Sequence, residues 1–255
     1  MKILAIGNSF SEDATYYLHQ IAEADGEDIL IVNACIGGCS LERHWNNIQS
    51  GAKEYTLEIN GEWKAKDVSI QEIIDMEEWD YVVTQQVSHD SGRIWTYSPY
   101  LENIMDYIKG KNPKAEILLH ETWAYEIDTM HEAFAWYEHN QEKMYNDVAA
   151  SYKEMAEKMG VRLIPCGDVI QALRTRPPFL YGEGGMSICR DGFHVNLLYG
   201  RYLLSAVWYK VFTGKSILEN SYIPHTVIAP KVNCNEKILQ VIKELVEEMV
   251  ETRCS

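Results

Sequence analysis

Three features of the 255-residue chain predict an α/β fold built on a parallel sheet. Five short apolar runs alternate with segments of helical period. A polar or glycine-bearing signature stands at the carboxyl end of four of those runs. No low-complexity linker or internal repeat breaks the alternation, so residues 1–255 read as a single domain near the upper size of one α/β unit. Strands alternating with helices give a five-stranded parallel sheet with helices on both faces, a three-layer α/β/α sandwich.

The elements follow in order. Residues 2–6 read as the first strand and residues 12–24 as an amphipathic helix with Tyr16, Leu18, Ile21 and Ala22 on its apolar face. Residues 29–33 form the second strand, ahead of Gly37-Gly38, and residues 41–50 a short helix. Residues 55–63 alternate faces around Asn60-Gly61, a strong short-range hairpin signal, and read as an insertion (about 53–66) on the surface or over a pocket. Residues 79–84 make the third core strand, ending at Gln85-Gln86. A helix over 98–110 leads to the fourth strand, 115–119, which ends at His120-Glu121. A long helix spans 133–159, stopped by Gly160, and residues 161–164 are the fifth strand. After a short helix at 168–174, a loop rich in Gly and Pro runs over 176–192. Residues 195–213, apolar around most of their circumference, read as a buried helix, and 235–250 as an amphipathic one with an acidic outer face.

Composition excludes several classes. Acidic residues outnumber basic ones 38 to 23, a net charge of −15, which disfavours nucleic acid and anionic membranes as partners. No stretch approaches the roughly 20 apolar residues of a membrane helix. The apolar start is too short for a signal peptide, so the chain reads as cytoplasmic. Cysteines 35, 39, 166, 189, 234 and 254 lack the spacing of a zinc site or a disulfide framework and read as free thiols.

In open α/β sheets, ligands bind outside the carboxyl ends of the strands. Ser9, Gly37-Gly38, Gln85-Gln86 and His120-Glu121 all fall there, which is the main evidence for one site. Ser9 with Glu12 three residues on fits a capping box; equally, a serine at a strand-to-helix turn fits a nucleophile. Asp191 and His194 are spaced so that the carboxylate can accept the imidazole Nδ1–H, leaving Nε2 as a base; the same segment also fits a simple turn. Gly38 offers a backbone N–H for an oxyanion hole, and one of the glutamines, by preference Gln86, a side-chain donor. Gln85, Glu121, Trp123 and Tyr125 are candidate substrate contacts, the aromatics suiting a sugar ring. A metal site using Asp191 and His194 with His120, Glu121 or His131 is a weaker alternative, because no two histidines share a face at ligand spacing.

Taken in order, Gly7-Asn8-Ser9-Phe10-Ser11, Gly38 and Asp191-Gly192-Phe193-His194 resemble the blocks of the SGNH (GDSL-like) hydrolase superfamily. The first block is most similar to that of its bacterial branch known as a domain of unknown function. The resemblance implies a flavodoxin-like fold and ester hydrolysis by Ser9, Asp191 and His194, with no metal or organic cofactor. It further implies an oxyanion hole of Ser9, Gly38 and a side-chain amide. Where the superfamily has Gly-x-Asn, this chain has Gln85-Gln86-Val87, so a glutamine must replace the asparagine amide. By analogy, the expected reaction is hydrolysis of a small acyl, in particular acetyl, ester on a carbohydrate. The alternatives are a glycan-binding pseudoenzyme of the same fold or a lipase- or thioesterase-type hydrolase.

Overall fold

The computed structural model describes residues 1–225 and 233–250. The chain runs β1 (Lys2–Gly7), α1 (Ser9–Thr15), α2 (Leu18–Ala24), β2 (Leu30–Cys35), α3 (Leu41–Ser50), β3 (Tyr55–Ile59) and β4 (Glu62–Val68). It continues through α4 (Ile70–Ile74), β5 (Tyr81–Thr84), α5 (Tyr100–Lys111), β6 (Glu116–His120), α6 (Gln141–Met159), β7 (Arg162–Ile164), α7 (Cys166–Leu173), α8 (Tyr199–Thr213) and α9 (Glu236–Met249).

Seven strands form one sheet in the order β4-β3-β2-β1-β5-β6-β7. The run from β2 to β7 is parallel, with Ile6 paired to Ala34 on one side and Thr84 on the other. Its central residues, Ile3–Ile6, Ile31–Val32, Val82–Val83 and Ile117–Leu119, are apolar because both faces are covered. Right-handed crossovers put α1 and α2 on one face and α3 to α6 on the other. Accordingly α8 packs on α1, α2 and α9, while α3 packs on α4 and α5. One continuous core of buried side chains runs through these layers. Strand order reverses between β1 and β5, and it is at this switch point that sheets of this order bind ligands.

Several expectations need correction. The sheet has seven strands rather than five, because the hairpin is not an insertion over a pocket. β3 pairs antiparallel with β2, Val32 opposite Ile59, and covers an edge that would otherwise expose unpaired backbone groups. The hairpin turn itself has Asn60 and Gly61 both at positive φ, and a Cβ on Gly61 would meet the Tyr16 carbonyl oxygen at 2.2 Å.

The helix expected over 12–24 is two helices. The Ser205 hydroxyl of α8 enters the ladder, accepting from Tyr17 N–H at 3.1 Å and donating to the Ala14 carbonyl at 2.8 Å, which separates α1 from α2. The long helix expected from residue 133 begins at Gln141. Glu138 and His139 are both left-handed, and Asn140 caps the new start by accepting from Lys143 N–H. The buried helix expected from 195 begins at Tyr199. Of the cysteines, Cys35, Cys39, Cys166, Cys189 and Cys234 are free thiols, whereas Cys254 lies outside the described residues.

Candidate active site

Ser9 is the first residue of α1, not its cap. Asn8 takes the cap position, its Oδ1 accepting from Phe10 N–H at 3.0 Å. The Ser9 hydroxyl is thereby left for other work, and it meets His194 Nε2 at 2.8 Å. His194 Nδ1 in turn lies 2.6 Å from Asp191 Oδ2. The other Asp191 oxygen accepts the backbone N–H groups of Phe193 (3.2 Å) and His194 (2.8 Å). Partial burial would raise the Asp191 carboxyl, but the His194 ring and these two N–H groups outweigh it and hold it below the usual carboxylate range. The ionised carboxylate fixes the tautomer: Nδ1 carries the proton and Nε2 presents a lone pair to Ser9.

A set of contacts fixes the 191–194 loop, most of them against α1. The fully buried Asp13 of α1 pairs with Arg190 at 2.8 Å and Arg201 at 2.7 Å, and Arg190 also donates to the Val195 carbonyl. Trp123 Nε1 donates to the Phe193 carbonyl at 2.7 Å while its ring stacks on Phe10 at 3.9 Å. Glu126 N–H donates to the Gly192 carbonyl at 2.7 Å. Gly192 itself has φ +89°, and a Cβ there would lie 2.8 Å from Thr129 Oγ1.

Below Ser9 runs a buried relay. His120 Nδ1 donates to Gln85 Oε1 (2.5 Å), Gln85 Nε2 to Asn8 Oδ1 (2.8 Å) and Asn8 Nδ2 to the Cys39 carbonyl (3.1 Å). Burial drives His120 down to about 3, so its ring is neutral. The last bond ties the cap to the turn Ile36-Gly37-Gly38-Cys39, which is closed by Cys39 N–H to the Ile36 carbonyl and joined to β1 by Ile36 N–H to the Gly7 carbonyl. Gly38, at φ +64°, thus sits in a turn fastened to the Gly7-Asn8 corner, and its N–H makes no hydrogen bond among the described residues.

The remaining expected contacts are placed elsewhere. Gln86 is buried and fully committed. Its Oε1 accepts from Leu41 and Val87 N–H, and its Nε2 donates to the Thr96 carbonyl and hydroxyl, so it ties the start of α3 to the β5–α5 connection and has no amide turned to the crevice. Gln85 is equally buried in the relay. Glu121 lies beneath α7, accepting from Asp168 N–H at 3.0 Å; burial, with Asp168 nearby, pushes its carboxyl up to about 8. Trp123 and Tyr125 are wholly buried, Tyr125 bonding Ser88, so neither is a sugar platform. His120 and Glu121 do not converge on Asp191 and His194. Among the described residues no three His, Cys, Asp or Glu side chains cluster as a metal would need.

Sequence reasoning missed the Asn8 cap, the Asp13–Arg190–Arg201 network, and the exposed Trp95 and Trp136. Asn8 was findable, since asparagine is among the best capping residues. The others depend on contacts across the fold.

The family described as Domain of unknown function (DUF4886) matches residues 2–239. The crystal structure of a DUF4886 family protein from Bacteroides uniformis is 34% identical, with a TM-score of 0.87, covering 97% of this chain and 93% of that one. A protein assigned to the SGNH hydrolases, from Slackia heliotrinireducens, is 20% identical with a TM-score of 0.56, covering 82% and 97%. A catalytic mutant of an acetylxylan esterase from Geobacillus stearothermophilus is 12% identical with a TM-score of 0.52, covering 88% and 97%. These last two share the fold. No curated protein matches the chain in sequence.

Proposed function

The chain belongs to the DUF4886 family, and we propose that it is a serine ester hydrolase acting on a small acyl group, in particular acetyl, carried by a carbohydrate. The observation that carries this reading is the unbroken line from Ser9 Oγ to His194 Nε2 (2.8 Å) and from His194 Nδ1 to Asp191 Oδ2 (2.6 Å). A hydroxyl, a base and an orienting carboxylate in hydrogen-bond contact are the parts an acyl transfer needs.

Ser9 Oγ attacks the ester carbonyl as His194 Nε2 takes its proton. Asp191 stabilises the imidazolium that forms and keeps it aligned. The tetrahedral oxyanion is received by backbone N–H groups of Ser9, at the first turn of α1, and of Gly38; the helix N-terminus adds a favourable dipole. Gln86 has no part in it. His194 then returns the proton to the departing alcohol, leaving an acyl-Ser9. Water, deprotonated by His194, attacks this ester, and a second collapse frees the acid as His194 returns the proton to Ser9 Oγ. The shared fold with an acetylxylan esterase supports the carbohydrate part of the reading.

The test is a panel of acetylated sugars and p-nitrophenyl esters of increasing chain length, run beside Ser9→Ala. Acetyl esters are hydrolysed by the wild type and not by the variant. Activity confined to long-chain esters would remove the carbohydrate assignment. One observation favours a second reading, a glycan-binding protein without turnover: both glutamine amides near the oxyanion position are committed elsewhere. Sugar binding with silence across the panel would select it.

A further inference from the structure

His194 is the inner end of a series of ring contacts that leads out to solvent. Its ring centroid lies 4.1 Å from that of Phe193, which lies 5.0 Å from His131. His131 is 6.1 Å from His89, and His89 is 5.6 Å from Trp136. The Arg93 guanidinium then stands 4.4 Å from the Trp136 ring and 5.2 Å from the Trp95 ring, so that it is shared by two indoles. Asp90 holds that guanidinium at 2.7 Å, which fixes the outer rings in place. Trp136 is 52% exposed and Trp95 68%. Large aromatic surface left in water, and joined to a reactive centre by a series of ring contacts, marks a surface for a ligand.

The chemistry of this surface restricts the ligand. Apolar ring faces alternate with hydrogen-bonding edges, namely Arg93, Asp90 and the two imidazoles, which burial keeps towards the neutral form. A pyranose has the same alternation, a face of C–H groups and a rim of hydroxyls. A long acyl chain needs an enclosed apolar groove, and these outer rings lie open. Nucleic-acid bases also stack on aromatics, but they come with a phosphate backbone that a chain of net charge −15 repels. A sugar ring is about the size of one of these side-chain rings, so a series of four ring-to-ring contacts from His194 is longer than a monosaccharide.

We propose that Phe193, His131, His89, Trp136, Arg93 and Trp95 form an extended platform for the saccharide chain that carries the ester, making the substrate an acylated oligosaccharide or polysaccharide. The proposal rests on the esterase reading above and adds to it the size of the alcohol. The chain lies along the rings with its acylated unit at Ser9, and the platform supplies binding without touching the reacting atoms.

The readout is a ratio, kcat/KM for a long acetylated xylo-oligosaccharide over kcat/KM for p-nitrophenyl acetate. Trp136→Ala and Trp95→Ala each lower this ratio about tenfold, equivalent to about 1.4 kcal/mol. The loss falls in KM rather than kcat. Trp63→Ala, which removes a 64% exposed indole on the edge strand β4, leaves the ratio unchanged. An unchanged ratio in the platform variants, or an equal loss on both substrates, overturns the proposal. A calorimetric titration with the unacetylated oligosaccharide separates it from the esterase reading. Binding to the wild type that weakens about tenfold in Trp136→Ala upholds the platform even where no ester is cleaved. No binding to the wild type overturns it.

Discussion

Replacing Asp13 by Ala tests how the two halves of the site are held together. Asp13 sits on α1, four residues after Ser9, with no exposed side-chain surface, and it receives both Arg201 (2.7 Å) and Arg190 (2.8 Å). Removing the carboxylate strands Arg201, whose side chain is only 9% exposed. Losing one partner of a buried pair costs about 3–5 kcal/mol, mainly because the other charge stays buried. The lower end applies here. Arg201 keeps the Tyr16 ring at 4.0 Å and Glu12 at 3.4 Å, and Arg190, at 30% exposure, can turn to water. A loss of about 3 kcal/mol lowers Tm by about 6–12 °C in a chain of this size. Arg190 also fixes the 191–194 loop, so kcat/KM on a small ester falls by about 10²-fold, the usual consequence of moving a catalytic group by about 1 Å. Calorimetry and ester kinetics measure the two effects separately. Asp13→Leu with Arg201→Leu removes both charges and recovers most of the Tm, but not the activity, because Arg190 still lacks its partner. A Tm change in Asp13→Ala below about 2 °C, which corresponds to under about 1 kcal/mol, would refute the reasoning.

Three more predictions concern neighbouring groups. Gln86→Ala leaves the Leu41 and Val87 N–H groups unpaired at about 1–3 kcal/mol each and lowers Tm, while kcat of the folded enzyme falls by much less than the 10²–10³ typical of a lost oxyanion donor. A 10²-fold fall in kcat with Tm unchanged would return Gln86 to the oxyanion hole. Gly192→Ala forces a side chain onto a backbone at φ +89° and against Thr129, and lowers kcat/KM by about 10²-fold; Thr129→Ala does not rescue it, since the backbone strain remains. Burial raises Glu121 to about 8 and Glu58 to about 7 from an ordinary 4.5, so the folded chain binds more protons than the unfolded one across that interval. Stability therefore falls as pH rises from about 5 to about 8, by on the order of a few kcal/mol, and Glu121→Gln flattens the Tm profile.

The parallel strands and the Ser9–Asp191–His194 set were legible because each is encoded locally. An apolar run that stops at Gly7 is a buried strand, and Asp191 and His194 are three residues apart in a turn. The hairpin was legible at Asn60-Gly61, yet alternation defines a strand without naming its neighbour, so its pairing with β2 was not. The break between α1 and α2 comes from Ser205, 188 residues beyond Tyr17, and leaves no local mark. Gln85 and Gln86 were rightly placed at a strand end, but burial turned one into a relay and the other into a loop tie. Trp123 and Tyr125 were misjudged for a related reason: next to a site, an aromatic residue is a pillar or a platform according to exposure alone. Trp123 became the pillar, and Trp95 and Trp136, in separate loops, became the exposed surface.

Labelling with a fluorophosphonate tests the central claim most directly, because it reports an activated serine without assuming a substrate. Mass spectrometry of the labelled, digested protein should find one adduct, on Ser9. His194→Ala should abolish it, and Asp191→Asn should slow it by up to about 10⁴-fold. An unlabelled wild type, or an adduct that persists without His194, would contradict the assignment of Ser9 as a nucleophile activated by His194.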